Sequence, residues 1–141
     1  MFPVLKHFKA SEFEHPDEID LTLLAMLDGM RDEEGLKEGI IITINSDYRP
    51  GDTGWHGRGK ALDIVLRNSI TGDPLPVFKQ FLIASKYLFG GIGFYPFWNS
   101  PGIHVDNRPR TLCKPTAVWW RDQNGAYRGL WEWKPLKGIL T

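Results

Sequence analysis

The spacing of apolar residues changes several times along the chain, and each change marks an element. From Ile19 onward Leu23, Met26, Leu27 and Met30 recur at steps of three and four, the spacing of one helix face. Pro16 followed by Asp17 and Glu18 suits a first helical turn, where proline loses no hydrogen bond and acids complement the helix dipole. Gly35 offers a stop, so a helix is predicted over Pro16 to Glu34. Ile40-Ile41-Ile42-Thr43-Ile44 is β-branched throughout and short, which predicts a buried strand, and Ala61 to Leu66 reads as a second. Between them, Pro50, Gly51, Asp52, Gly54, Gly57 and Gly59 forbid regular structure over Ser46 to Gly59. Arg49, Trp55, His56 and Arg58 are not linker residues, and the mixture has the character of a binding loop.

After a loop over Asn68 to Pro76, a helix is predicted over Val77 to Leu88, with Phe78, Phe81, Leu82 and Ser85 on one side. Gly90 to Tyr95 and Gly102 to Asp106 read as a strand pair joined around Pro96 to Pro101. From Ala117 the tryptophans Trp119, Trp120, Trp131 and Trp133 surround an Asn124-Gly125 turn, which predicts a hairpin over about 117–141. The expected class is α+β: a small antiparallel sheet with helices packed on it, in a single domain over 1–141 with an opening segment at 1–15.

Composition narrows the function. The 141 residues are 42% hydrophobic and 24% charged, enough for one globular core. Seventeen basic residues balance seventeen acidic ones, so no net field draws the chain onto nucleic acid or an anionic membrane, and neither partner is expected. One cysteine, Cys113, excludes an internal disulfide and a Cys-rich zinc ribbon, so any metal must be held by histidine and carboxylate. The stretch Met1 to His7 has no basic segment followed by an apolar run, and no apolar stretch approaches the ~20 residues of a membrane span. A soluble monomer without a signal peptide is the expectation.

Four polar residues stand out. Asp63 lies inside the apolar run Ala61 to Leu66, where a bare carboxylate would be costly to desolvate, so a cationic partner is required. His104 and Asp106 alternate with Ile103 and Val105, which puts both polar side chains on one face of a strand, a face unlike a dry core. His56, seven positions before Asp63, is close enough to fold back over that strand. Two imidazoles and one carboxylate make a divalent-metal set with a fourth tetrahedral position open to water. Taken singly each has a plainer reading: a loop histidine is commonly an ordinary polar residue, and Asp63 could simply pair with Arg49 or Arg58. His7 and His15 read as surface residues or local caps, and Cys113 as inert. Gly90-Gly91-Ile92-Gly93 is no phosphate cradle, because no helix opens after it; glycine here permits close strand packing. Six tryptophans could line a sugar-binding surface, although core and rim positions are the commoner use.

The joint pattern meets a family. Ile44-Asn45-Ser46-Asp47-Tyr48-Arg49-Pro50, then His56-Gly57-Arg58-Gly59-Lys60-Ala61-Leu62-Asp63-Ile64, then Gly91-Ile92-Gly93-Phe94-Tyr95 and Ile103-His104-Val105-Asp106 resemble the zinc peptidases that cut peptidoglycan stem peptides. These are the D-alanyl-D-alanine carboxypeptidases and phage endolysins, whose fold is related to the Hedgehog signalling domain. His7-Phe8-Lys9-Ala10-Ser11-Glu12-Phe13 is similar to the opening of the carboxypeptidase-like branch, and the resemblance spans roughly residues 7 to 121.

The resemblance implies that His56, Asp63 and His104 bind zinc. It assigns Arg49 to the substrate carboxylate or the oxyanion and places Tyr48 beside it on the substrate; Trp55, where the chain departs from the family, is expected to form a wall of the cleft. Zinc would polarise the scissile carbonyl and lower the pKa of water toward ~7. Many relatives carry the general base two or three positions before the last ligand, where this chain has Gly102 and Pro101. Asp106 is therefore expected to act as the base or as a carboxylate that orients an imidazole. Asp47 replaces the usual glycine, and Gly54-Trp55 replaces small hydroxyl residues. The implied function is hydrolysis of peptidoglycan peptides by a phage or prophage lysis enzyme that accumulates in the cytoplasm, or rides in the virion, until it meets the wall. The alternative is a catalytically silent module that keeps the fold and grips glycan or protein through Trp55, Trp98 and the later tryptophans.

Overall fold

Alternation along the strands decides the architecture. The fold comes from a computed structural model in which residues 1–134 are described; the far end of the predicted hairpin, 135–141, lies outside them. Helix α1 (Leu21–Glu38) leads into β1 (Ile40–Ser46) and, after the glycine-rich loop, β2 (Ala61–Asn68). Helix α2 (Val77–Ala84) precedes β3 (Gly91–Tyr95), β4 (Gly102–Asp106), β5 (Ala117–Arg121) and the short β6 (Tyr127–Arg128).

The strands form one six-stranded sheet in the order β1-β2-β4-β3-β5-β6. The class is α+β, but the sheet is mixed rather than antiparallel, because β3 and β5 run parallel. The reason lies in the connection. β4 ends with Asp106 opposite Gly91, and residues 107–116 carry the chain to the other edge of β3 without changing end, so that Ala117 also starts opposite Gly91.

One face of the sheet is the core. Ile40 and Ile42, Leu62, Ile64 and Leu66, Ile92 and Phe94, and Ile103 and Val105 alternate onto it and meet Leu23, Leu24, Leu27 and Met30 of α1 with Phe81 and Ile83 of α2. Each such side chain contributes roughly 1.5–3 kcal/mol on full burial. The opposite set, Asp63, His104, Asp106, Gly93 and Trp119, faces away from the helices.

Both helices depart from their predicted bounds. Pro16–Glu18 is a separate 3-10 turn, and α1 begins only after Asp20, whose carboxylate accepts the Leu23 N–H at 2.9 Å. A side chain that satisfies an orphan amide outcompetes a proline that merely tolerates the first turn. The helix runs through Gly35 and stops at Gly39, which is left-handed at φ 65°. The predicted α2 face is also corrected: Gln80, Phe81, Ile83 and Ala84 are buried, while Leu82 and Ser85 are exposed. Gln80 is inside because its amide donates to the Leu75 and Pro101 carbonyls and accepts the Leu66 N–H, tying the helix to β2. Among the described residues no helix is long and apolar enough to cross a membrane.

Candidate metal centre

A single row across the sheet builds the site. Register places Ser46, Asp63, His104, Gly93 and Trp119 side by side on β1, β2, β4, β3 and β5. Period-two geometry points their side chains away from the helices. The β1–β2 register shifts between Ile44 and Ser46, a bulge that starts the glycine-rich loop toward the row. The loop brings His56 back over Asp63 through a 3-10 turn, His56–Arg58, closed by Gly59 at φ 70°. A side chain at Gly59 would also collide with the Glu18 carbonyl, so both backbone angle and space require glycine there.

His56, Asp63 and His104 are each more than nine-tenths buried, and their ligating atoms lie within 4.8 Å of one another. His56 Nδ1 donates to the Asp47 carbonyl at 2.7 Å, which leaves Nε2 facing Asp63 Oδ1 at 3.3 Å. His104 is turned the other way: its Nε2 donates to Asp106 Oδ2 at 2.7 Å, and Nδ1 faces the same Asp63 oxygen at 3.2 Å. Both imidazoles are thus held in a fixed tautomer by a partner behind the ring, the arrangement that orients metal-binding histidines.

Those two separations decide what the centre can hold. Donors at 2.0–2.1 Å from a tetrahedral zinc lie about 3.3 Å apart, whereas charge-assisted hydrogen bonds are typically about 2.7–2.9 Å. The spacing at Asp63 matches the tetrahedral edge. With each ring's first proton committed to its rear partner, the three facing atoms must share either second protons or a cation. Two imidazoles and a carboxylate fit zinc and several other first-row ions.

Charges support the centre. Burial works to raise the Asp63 carboxyl, but hydrogen bonds from His104 and His56 outweigh it and hold Asp63 well below the usual carboxylate range. Burial likewise works to lower His104, yet its bonds to Asp106 and Asp63 raise it overall. Asp106 is opposed by burial but lowered to about 2 by His104 and Arg108. Asp63 has the cationic partner its setting demands: Arg49 Nη2 reaches Oδ2 at 2.6 Å, so the plainer pairing coexists with the ligand geometry on the other oxygen.

The centre opens into a cavity of about 490 Å³. Arg49 and Trp55 are among the residues that line it. Tyr48 is not; it lies against His15, edge-on at 5.5 Å between ring centres, where the neighbouring Asp47 turns toward the amino-terminal segment. Asp106 is fully buried behind His104 rather than in the cavity wall. Oδ2 takes His104 and Arg108 Nη2, and Oδ1 takes Arg108 Nε and its backbone N–H. Asp47, read in the sequence only as a departure, anchors two elements: its carboxylate accepts the Glu14 and His15 amides and pairs with His15 Nδ1, while its carbonyl fixes His56.

The sequence also left Tyr95, Arg108 and Arg121 unassigned in the cavity wall. Arg108 lies 5.0 Å from the Trp119 ring and 5.6 Å from that of Trp55, bridging two walls. The glycines of β3 make this possible: a side chain at Gly93 would enter the Trp119 indole, and one at Gly91 would meet the Asp106 carboxylate and Arg108. The period-two pattern Trp119-x-Arg121 was the available signal. Compared with family models, curated proteins and solved structures, the chain matches none.

Proposed function

We propose that the chain is a metal-dependent peptidase acting on peptidoglycan stem peptides, with zinc held by His56 Nε2, Asp63 Oδ1 and His104 Nδ1. The observation that carries this reading is the convergence of those atoms at 3.2–3.3 Å about the Asp63 oxygen, with the cavity on their open side. A structural zinc site is normally closed by four protein ligands, and three leave a working position. Zinc would supply Lewis acidity to the scissile carbonyl and an activated water.

The chain's own residues divide the remaining work. Asp106 and the Asp47 carbonyl hold the imidazoles. Arg49, half exposed beside Asp63, binds the carboxylate or developing oxyanion of the substrate. Trp55, with Arg58 4.6 Å and Arg108 5.6 Å from its ring centre, forms one wall of the cleft. The finer fold assignment, to the Hedgehog and D-alanyl-D-alanine peptidase architecture, belongs to the same reading, as does the role of a monomeric phage or prophage lysis enzyme released onto the wall.

One observation favours the silent-module reading instead. Asp63 is committed as a ligand, and Asp106 is buried with both oxygens engaged, so neither is free to move a proton in the cavity. One experiment separates the two. Purified wall fragments are digested with zinc-loaded protein, with chelated protein and with His56→Ala, and the products are weighed by mass spectrometry. The peptidase reading expects a defined amide cleavage that disappears on chelation and returns with zinc. Cleavage that survives chelation, or wall binding with no cleavage in the parent, overturns it.

A further inference from the structure

We infer that Arg121 forms a second anion subsite that reads a free carboxylate of the substrate about three residues from the scissile bond. The inference rests on the peptidase reading of the neighbouring centre. Two cavities meet at this residue: the one over the metal centre and a smaller one of about 180 Å³, which share Tyr95, Trp98 and Arg121. The first holds the ligands and the second reaches Asp122 and Gly125 of the β5–β6 turn, so the two lie side by side along one trough wall made by these residues.

The arginines of the trough are not equivalent. Arg49 is paired with Asp63 and Arg108 with Asp106. Arg121 has no carboxylate within ion-pair distance among the described residues; its Nε donates to the Gly125 carbonyl at 3.1 Å, and its guanidinium lies 5.4 Å from the Tyr127 ring centre. The nearby Asp122 is taken by Arg128. Among the described residues both terminal nitrogens of Arg121 are without an acceptor, and a guanidinium fork suits a carboxylate. Beside it the Tyr95 and Trp98 rings stack on one another, 4.3 Å between centres and 12° apart, an apolar pair against which both cavities lie.

Spacing sets which carboxylate is read. Trp119 shares the row of His104 two strands away, and Arg121 is two residues further along β5. Strand separation and rise put the Arg121 backbone roughly 12 Å from that of His104. Extended peptide covers that distance in about three residues. The carboxylate read here is thus distinct from one held by Arg49 at the centre.

The test uses two synthetic stem-peptide analogues that differ in one group: a free carboxylate three residues from the scissile bond, or the corresponding carboxamide. Binding of each to zinc-loaded protein is measured by fluorescence anisotropy and turnover by mass spectrometry, for the parent, Arg121→Gln and Arg121→Lys. The parent should favour the carboxylate on the order of tenfold, Arg121→Gln should bring the ratio close to one, and Arg121→Lys should retain part of it. A ratio near one in the parent, or an unchanged ratio in Arg121→Gln, overturns the inference even if both peptides are hydrolysed. A ratio in binding that depends on Arg121, with no hydrolysis of either peptide, upholds the subsite and overturns the peptidase reading.

Discussion

Replacing Asp106 with asparagine tests the centre without touching a ligand. The carboxylate accepts from His104 Nε2 at 2.7 Å and Arg108 Nη2 at 2.6 Å on one oxygen, and from Arg108 Nε at 2.8 Å and the Arg108 amide at 3.1 Å on the other. An amide offers one oxygen. Keeping it toward the two Arg108 donors on Oδ1 turns the NH2 group onto His104, whose Nε2 must then become an acceptor. The ring proton moves to Nδ1, the atom that faces Asp63, and the ligand lone pair is lost. Loss of such a rear partner weakens metal binding by about 10–100-fold. Stability falls as well: the carboxyl is lowered from 3.8 to about 2, which corresponds to roughly 2 kcal/mol of native-state preference for the charged form, and an Arg108 donor is left unpaired. Competition with a chromophoric chelator reads the zinc affinity, and nitrogen NMR of the imidazoles reads the tautomer. Affinity within twofold of the parent, with His104 still protonated on Nε2, would refute the assigned geometry.

Zinc at a thousandfold excess over its dissociation constant should stabilise the protein by about 4 kcal/mol, seen as a rise in Tm of roughly 10 °C that His56→Ala or Asp63→Asn removes; an equal rise in those variants contradicts the ligand set. The effect of pH follows from the raised His104. Its contribution to the metal-free protein is complete below the unfolded value near 6.5 and is lost as pH rises through the higher folded value, while zinc must displace that proton. The gap in Tm between zinc-loaded and metal-free protein should therefore widen from pH 5.5 to 8, and a constant gap would count against shared occupancy by proton and metal. Gly93→Ala pushes a methyl into the Trp119 indole and should cost about 1–3 kcal/mol in urea unfolding. Gly29→Ala, in α1 with nothing within 4 Å of the new methyl, should stabilise by up to about 1 kcal/mol.

The parts of the site legible in the sequence were those set by short-range periodicity. Ile103-His104-Val105-Asp106 announced two faces, and Asp63 in an apolar run announced a cationic neighbour. What escaped depends on pairing between strands or on backbone groups. Nothing local says that β5 runs parallel to β3, so Trp119 and Arg121 could not be placed opposite Gly93 and beside Tyr95. The Asp47 carbonyl that fixes His56 has no side-chain signature at all. Tyr48 and Arg49 are adjacent in sequence, but the loop turns them apart, toward His15 and Asp63, and no local pattern signals that turn.

The glycine run of β3 shows how local and distant requirements combine. Read along the chain, Gly91 and Gly93 weaken a strand, since each lacks a side chain to pack. Read across the sheet, they lie between the ligand strand and the tryptophan strand, level with Asp106 and His104. The space they leave is filled by the Arg108–Asp106 pair on one row and the Trp119 indole on the next. The indole sits 5.2 Å from the His104 ring and donates to the Tyr95 hydroxyl at 3.1 Å. Side chains at those two glycines would lift the wall off the sheet and take with it the carboxylate that sets the His104 tautomer. The cost in strand propensity is offset by placing an orienting acid, a cavity wall and a ligand within two rows of one sheet face.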